Sequence, residues 1–282
     1  MADLPSIAEL RAVAQPPEVR GRRTSEHWVA DVYLRRISPH LTRQLLRTPI
    51  TPNGVTGLMI ATGMSISLAL LVPGLPGAIL AVLLGQMQML WDCCDGELAR
   101  WRQRFSPAGV FLDKVGHYAT EGLIPIALGL RASGWPGEPL QPTWWLVLGA
   151  LLSALILFNK ALNDMVHVSR AFAGLPRMDE SAQTSAPRRG VVRTLRRAVR
   201  VFPFQRAYHS VELTLLALAA AIIDAVTGGL IGTQILVIAL AGFGVITVIG
   251  HVMAILASSR LRAGELTAPS SSGEEPLASD GP

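Results

Sequence analysis

The sequence predicts an all-α, polytopic membrane protein with six transmembrane helices and an N-terminal amphipathic interfacial helix. Three observations carry that expectation. Hydrophobic residues make up 50% of the chain and mean hydropathy is +0.39, on the apolar side of ordinary soluble domains. The apolar residues gather into six runs, each near the roughly 20 residues that a bilayer requires. The arginines fall between those runs, in alternate connections.

The elements follow in order. Residues 1–25 are polar, with prolines and arginines, and are expected to be loosely ordered. From Glu26 to Arg47, Trp28, Val32, Ile37, Leu41 and Leu45 alternate with Arg35, Arg36, Arg43 and Arg47 at helical spacing. This pattern suits an amphipathic helix in the headgroup region, interrupted at Pro39. Thr51-Pro52-Asn53-Gly54-Val55-Thr56 then reads as a helix entry. The six spans are expected over 54–72, 75–95, 108–130, 143–163, 207–227 and 232–257. Residues 264–282 are acidic and rich in Pro and Ser, as in a disordered tail. The expected organisation is therefore a cytoplasmic segment over 1–50, a membrane domain over 51–260 and a cytoplasmic tail over 261–282. No internal repeat is evident, and no cleavable signal peptide is expected.

A net charge of +5 and a pI near 9.9 would suit nucleic acid, but the placement of the charge excludes that class. Residues 1–50 carry eight arginines, 96–108 three and 164–206 nine, whereas 131–142 carries only Arg131. Clusters between apolar runs suit anionic headgroups and phosphorylated substrates. The alternation places both termini and the 96–108 connection on the cytoplasmic side. The only lysines are Lys114 and Lys160. Cys93 and Cys94, the only cysteines, are adjacent, which allows no disulfide framework and no metal-ligand spacing. They read as small packing residues on a reducing side.

The chemistry concentrates in Trp91–Glu121, WDCCDGELARWRQRFSPAGVFLDKVGHYATE. Asp92 and Asp95 stand three apart, Asp113 and His117 four apart, so each pair shares a helix face. Both pairs edge long apolar runs, where ionisable groups are expensive and mark function. Here the residues resemble the CDP-alcohol phosphotransferase family, whose pattern is D-x2-D-G-x2-A-R-x8-G-x3-D-x3-D. It stands as Asp92, Asp95, Gly96, Ala99, Arg100, Gly109 and Asp113, with His117 in place of the last Asp. The resemblance covers about 51–260.

That resemblance implies six helices around a cytoplasm-facing polar cavity in the cell membrane, as a homodimer. It also implies a reaction in which a CDP-linked alcohol and an acceptor hydroxyl give a phosphodiester and CMP, as in phospholipid biosynthesis. Displacing CMP needs the pyrophosphate's charge neutralised, which hard divalent cations on oxygen ligands achieve. Asp92, Asp95 and Asp113 are the implied ligands of Mg2+ (or Mn2+). Gly96 admits close approach of a nucleotide, Ala99 keeps the same face small, and Arg100 and Ser106 contact the donor and its phosphates. Asn53 and Thr56 match a PNxxT segment that lies near the donor in the family. His117 takes the place of the family's base, a role a neutral imidazole can fill, and Glu121, one turn on, orients it or replaces the lost carboxylate. Arg206, His209 and Glu212 sit three apart at the mouth of the fifth run, where the family holds an acceptor's phosphate. His251 reads as an interior hydrogen-bonded histidine, Asp164 and His167 as a solvated loop pair, and Gly242, Gly244 and Gly250 as a packing or dimer stripe. A soluble CDP-polyol donor and a catalytically degenerate binder are the alternatives. A transporter is disfavoured, because paired broken helices and related halves are missing.

Overall fold

The computed structural model describes residues 4–16, 29–137, 144–175 and 207–261, and within them the chain is helical, without strands. Its elements are α1 (Ile7–Ala14), a π-helical turn (Ala30–Leu34), α2 (Arg35–Leu45), α3 (Pro52–Leu70), α4 (Gly74–Arg102), α5 (Pro107–Ala132), α6 (Trp144–Phe172), α7 (Ser210–Thr227), α8 (Ile231–Leu256) and a 3-10 turn (Ser259–Leu261).

Among the described residues, five helices are long and apolar enough to cross a membrane: α3, α4, α6, α7 and α8. The sixth expected span, α5, has 26 residues but also carries Asp113, Lys114, His117, Glu121 and Arg131, which lower its hydropathy. Two helices overrun their expected ends. The 29 residues of α4 reach Arg102, and at 1.5 Å per residue such a helix is about 44 Å long against a hydrocarbon core of about 30 Å. α6 likewise continues to Phe172, so Asp164 and His167 lie on a helix and not in a loop.

The N-terminal region departs furthest from expectation. Within residues 1–25, expected to be loose, α1 is an ordered helix whose Ser6 and Glu9 form a reciprocal capping box. The Ser6 backbone N–H donates to Glu9 Oε2 at 2.7 Å, and this bond holds the Glu9 carboxyl below its ordinary range. Further on, Pro39 lies inside α2 without interrupting it. Proline cannot donate to the carbonyl four residues back, and that carbonyl, Arg35 O, accepts instead from Gln15 Nε2 at 2.9 Å. The irregularity falls upstream, in the π-helical turn. α2 packs on α4 and buries Ser38, Pro39 and Thr42. Glu26–Trp28 and the tail from 262 onward lie outside the described residues.

All six long helices contribute to one core, which includes Ile66, Leu70, Ala81, Ile124, Leu128, Leu152, Ile156, Leu213, Val237 and Leu240. α5 and α6 cross at backbone contact. A Cβ on Gly149 would lie 2.6 Å from the Pro125 carbonyl, and one on Gly129 2.6 Å from the Trp145 carbonyl. The expected stripe in α8 plays a smaller part. Of the three only Gly244 meets neighbours, Leu155 and Leu152, while Gly242 and Gly250 have nothing within 4 Å.

One end of the bundle is sealed by buried polar caps. Arg131 donates to the carbonyls of Leu70, Val72 and Gly74, and Asp224 accepts from the backbone N–H of Gly232 and Thr233. These bonds satisfy helix-end groups that would otherwise be orphaned. The acidic motif lies at the opposite end.

Candidate functional site

α3 positions the site by packing against both α4 and α5, which themselves have little contact. The interior face of α4 runs through Ala81, Gly85, Gln88, Asp92 and Asp95, at alternating steps of four and three. Ala81 joins the core, and Gly85 faces Thr214 of α7. On the face of α5, Gly116 sits against Met59 and Ile60 of α3, which brings the next residue, His117, to the gap between α4 and α5.

The entries of α3 and α5 meet at this end. Thr51 caps α3 by accepting from the Gly54 N–H at 3.1 Å. Ser106, expected at the donor, caps α5 by accepting from the Gly109 N–H at 3.0 Å, with Pro107 next in the helix. A Cβ on Gly109 would lie 3.0 Å from Asn53 Oδ1, so glycine there lets α5 approach the start of α3. Thr56, buried, donates to Asp95 Oδ2 at 2.7 Å.

Asp92 and Asp113 converge on His117 from different helices. Its Nε2 lies 3.2 Å from Asp92 Oδ1 and 3.5 Å from Asp113 Oδ1. One ligand atom from each of the three falls within 4.8 Å of the others, a spacing compatible with one divalent cation. The two carboxylate oxygens suit a hard divalent ion, and the imidazole nitrogen stands beside them. Asp95, expected as a third carboxylate ligand, faces Thr56 and is not one of that trio.

Behind His117 lies a polar array that crosses three helices. Its Nδ1 is 4.0 Å from Glu121 Oε1. Glu121 is buried, its side chain only 1% exposed, and is met by Lys160 Nζ at 2.6 Å and by His209 Nδ1 at 3.2 Å. The structure thus brings His209 to the site, at the N-cap of α7. Arg206 lies outside the described residues. One turn further along α6, Asp164 takes Lys114 Nζ at 2.5 Å and the Tyr118 hydroxyl at 2.9 Å. Sequence reasoning missed Lys160 as a site residue. The signal was present, because a lysine inside an apolar run is costly without a partner.

Gly96 and Ala99 are half-buried on the outer part of α4. The guanidinium of Arg100 folds back over Gly96, with Nη1 3.1 Å from where a Cβ would stand. Its Nε donates to the Ala14 carbonyl at the end of α1. His251 of α8 lies away from the site and bonds Asn159 Oδ1 through Nδ1 at 2.8 Å.

Among known proteins, the family model described as CDP-alcohol phosphatidyltransferase matches residues 49–260. No curated protein matches the chain.

Proposed function

We propose a function from one premise: the chain belongs to the CDP-alcohol phosphatidyltransferase family. It is a membrane-embedded transferase that moves a substituted phosphate from a CDP-alcohol to an acceptor hydroxyl, releases CMP and serves phospholipid biosynthesis. The observation that carries this reading is the convergence of Asp92 and Asp113 on His117. In this reading α5 is the sixth span, its ionisable face turned to α3, α4 and α6 and away from lipid. The alternating arginines favour a cytoplasmic site. A homodimer is the assembly that the family resemblance implies.

Asp92, Asp95 and Asp113 would hold divalent metal, with Mg2+ favoured by oxygen ligands and Mn2+ as the alternative. Bound there, the cation would offset the charge of the pyrophosphate and of the departing CMP. The chain's own residues do the rest. Thr56 holds the Asp95 carboxylate in place. Arg100 meets a phosphate oxygen, and the small face of Gly96 and Ala99 leaves room for the nucleotide. Glu121, anchored by Lys160 and His209, orients the imidazole through Nδ1. With Asp92 and Asp113 engaged by the cation and its proton on Nδ1, His117 would present the Nε2 lone pair to the acceptor hydroxyl and take its proton. The acceptor oxygen then bonds to the alcohol-bearing phosphorus, the phosphorus–oxygen bond to CMP breaks, and a phosphodiester results.

Purified protein incubated with a panel of CDP-alcohols and acceptors tests this reading through CMP release. Asn at Asp92, Asp95 or Asp113 lowers turnover by orders of magnitude, because the pyrophosphate loses its counter-charge. Undiminished release in a metal chelator contradicts the reading.

A further inference from the structure

Glu97 stands inside the motif, between Gly96 and Ala99, at a position the family pattern leaves open. Its side chain is fully buried, at 0% exposure. Burying a carboxylate is costly unless every oxygen is bonded. Here Oε1 accepts from Gln15 Nε2 at 2.7 Å and from the Ser38 hydroxyl, and Oε2 accepts from the Thr42 hydroxyl at 2.6 Å. The donors come from two separate stretches of chain, the end of α1 and α2.

α1 is tied down along its whole length. Gln15 Nε2 also bonds the Arg35 carbonyl at 2.9 Å. Arg11 Nη2 reaches the Arg36 carbonyl at 3.0 Å, and Arg43 Nε the Pro5 carbonyl at 2.8 Å. Leu10 and Ala14 are completely buried. With eight residues, α1 is too short to persist alone, so these contacts are what hold it. Arg100, three residues beyond Glu97, ties its Nε to the last carbonyl of that helix while its guanidinium covers Gly96.

We propose that Glu97 is a positioning residue for the donor: by locking α1 and α2 onto α4, it fixes the Arg100 guanidinium where the pyrophosphate of a nucleoside diphosphate-alcohol binds. The inference rests on the proposed function for the ligand, whereas the lock itself rests on contacts alone. N-terminal residues that the motif does not include thereby become part of the donor site. Their contribution falls on donor affinity and leaves the chemical step alone, because Glu97 touches none of the reacting groups.

The test uses the full-length protein in detergent and the variants Glu97→Gln and Gln15→Ala. Hydrogen exchange of the amides of residues 7–14 reads the lock without any activity. Kinetics read KM for the CDP-alcohol and kcat, and equilibrium binding of CDP with magnesium reads the donor site where no acceptor is known. Glu97→Gln is expected to speed α1 exchange at least tenfold and to raise KM and the CDP Kd about tenfold, with kcat within about twofold, as for the loss of one charge-assisted bond. Gln15→Ala moves the same quantities less far, and it decides the matter if Glu97→Gln does not fold. Asp92→Asn is the contrast, since it abolishes turnover with α1 exchange unchanged. Unchanged exchange in both variants overturns the lock, and faster exchange with an unchanged KM and Kd overturns its role in donor binding. A parent that releases no CMP from any CDP-alcohol, yet shows the exchange and CDP-binding effects, counts against the transferase reading and leaves the lock and its role in place.

Discussion

Replacing Lys160 with Met keeps most of the length of the side chain and removes its charge, which leaves Glu121 buried with two of its three ion partners. Glu121 is 1% exposed and Lys160 Nζ lies 2.6 Å from Oε2. An ion pair at contact distance contributes about 4 kcal/mol at an effective dielectric near 20. His209 at 3.2 Å and His117 at 4.0 Å stay to screen the carboxylate, so the net loss of stability is about 2–3 kcal/mol, below the usual cost of breaking a buried pair. On the scaling for domains of this size that corresponds to a fall of about 5–10 °C in Tm. Adding Glu121→Gln removes the stranded charge, and the double variant is expected to regain most of that Tm. Turnover does not return with it, because a neutral amide is a poorer partner for the imidazole. Thermal unfolding in one detergent, set beside CMP release for the same four proteins, completes the double-mutant cycle. A Lys160→Met protein as stable as the parent, or a double variant no more stable than the single one, refutes the pairing.

Two further outcomes follow from the packing and from the charge pattern. Gly149→Ala drives a Cβ to within 2.6 Å of the Pro125 carbonyl and is expected to cost about 1–3 kcal/mol; Gly242→Ala and Gly250→Ala, with nothing within 4 Å, leave Tm unchanged or slightly higher. On a background without Cys93 and Cys94, an impermeant thiol reagent applied to whole cells is expected to label a cysteine at position 138 and spare one at 190, and the reverse pattern overturns the six-span topology.

The long helices were legible because their apolar runs exceed anything a soluble core needs, and each one forms near its expected place. α5 stands at the edge of that signal: expected over 108–130, it forms over Pro107–Ala132, but Asp113, His117 and Glu121 dilute its hydropathy and leave it less apolar than the other five. α1 was missed for another reason. Ser6 and Glu9 announce a capping box, but eight residues are held by tertiary contacts, and those come from Glu97 and α2, far along the chain. Pro39 shows the same dependence on distant residues. Local chemistry predicts a break, and the break is avoided because Gln15 takes up the carbonyl that proline leaves unbonded. Within the site, Asp92, Asp113 and His117 were readable from spacing, whereas Lys160 required knowing which face of α6 meets α5.

His117 is where this chain and its family part, and its surroundings explain how an imidazole can stand there. Asp92 and Asp113 face Nε2 while Glu121 faces Nδ1. A carboxylate at position 117 would add a fourth acidic side chain to the three that already face this ring; a neutral ring adds none and can still accept a proton. His117→Ala is therefore expected to lower kcat by about 10²–10⁴-fold, the range typical of a lost general base, while CDP still binds. His117→Asp restores the family pattern and is expected to keep measurable turnover. Its rate should persist to lower pH, because a carboxylate ordinarily gives up its proton near 3.9 and an imidazole near 6.5. The pH profile separates a base from a structural residue, since loss of packing would lower the rate equally at every pH. An alanine variant that turns over as fast as the parent would transfer the base role to Glu121 or to water.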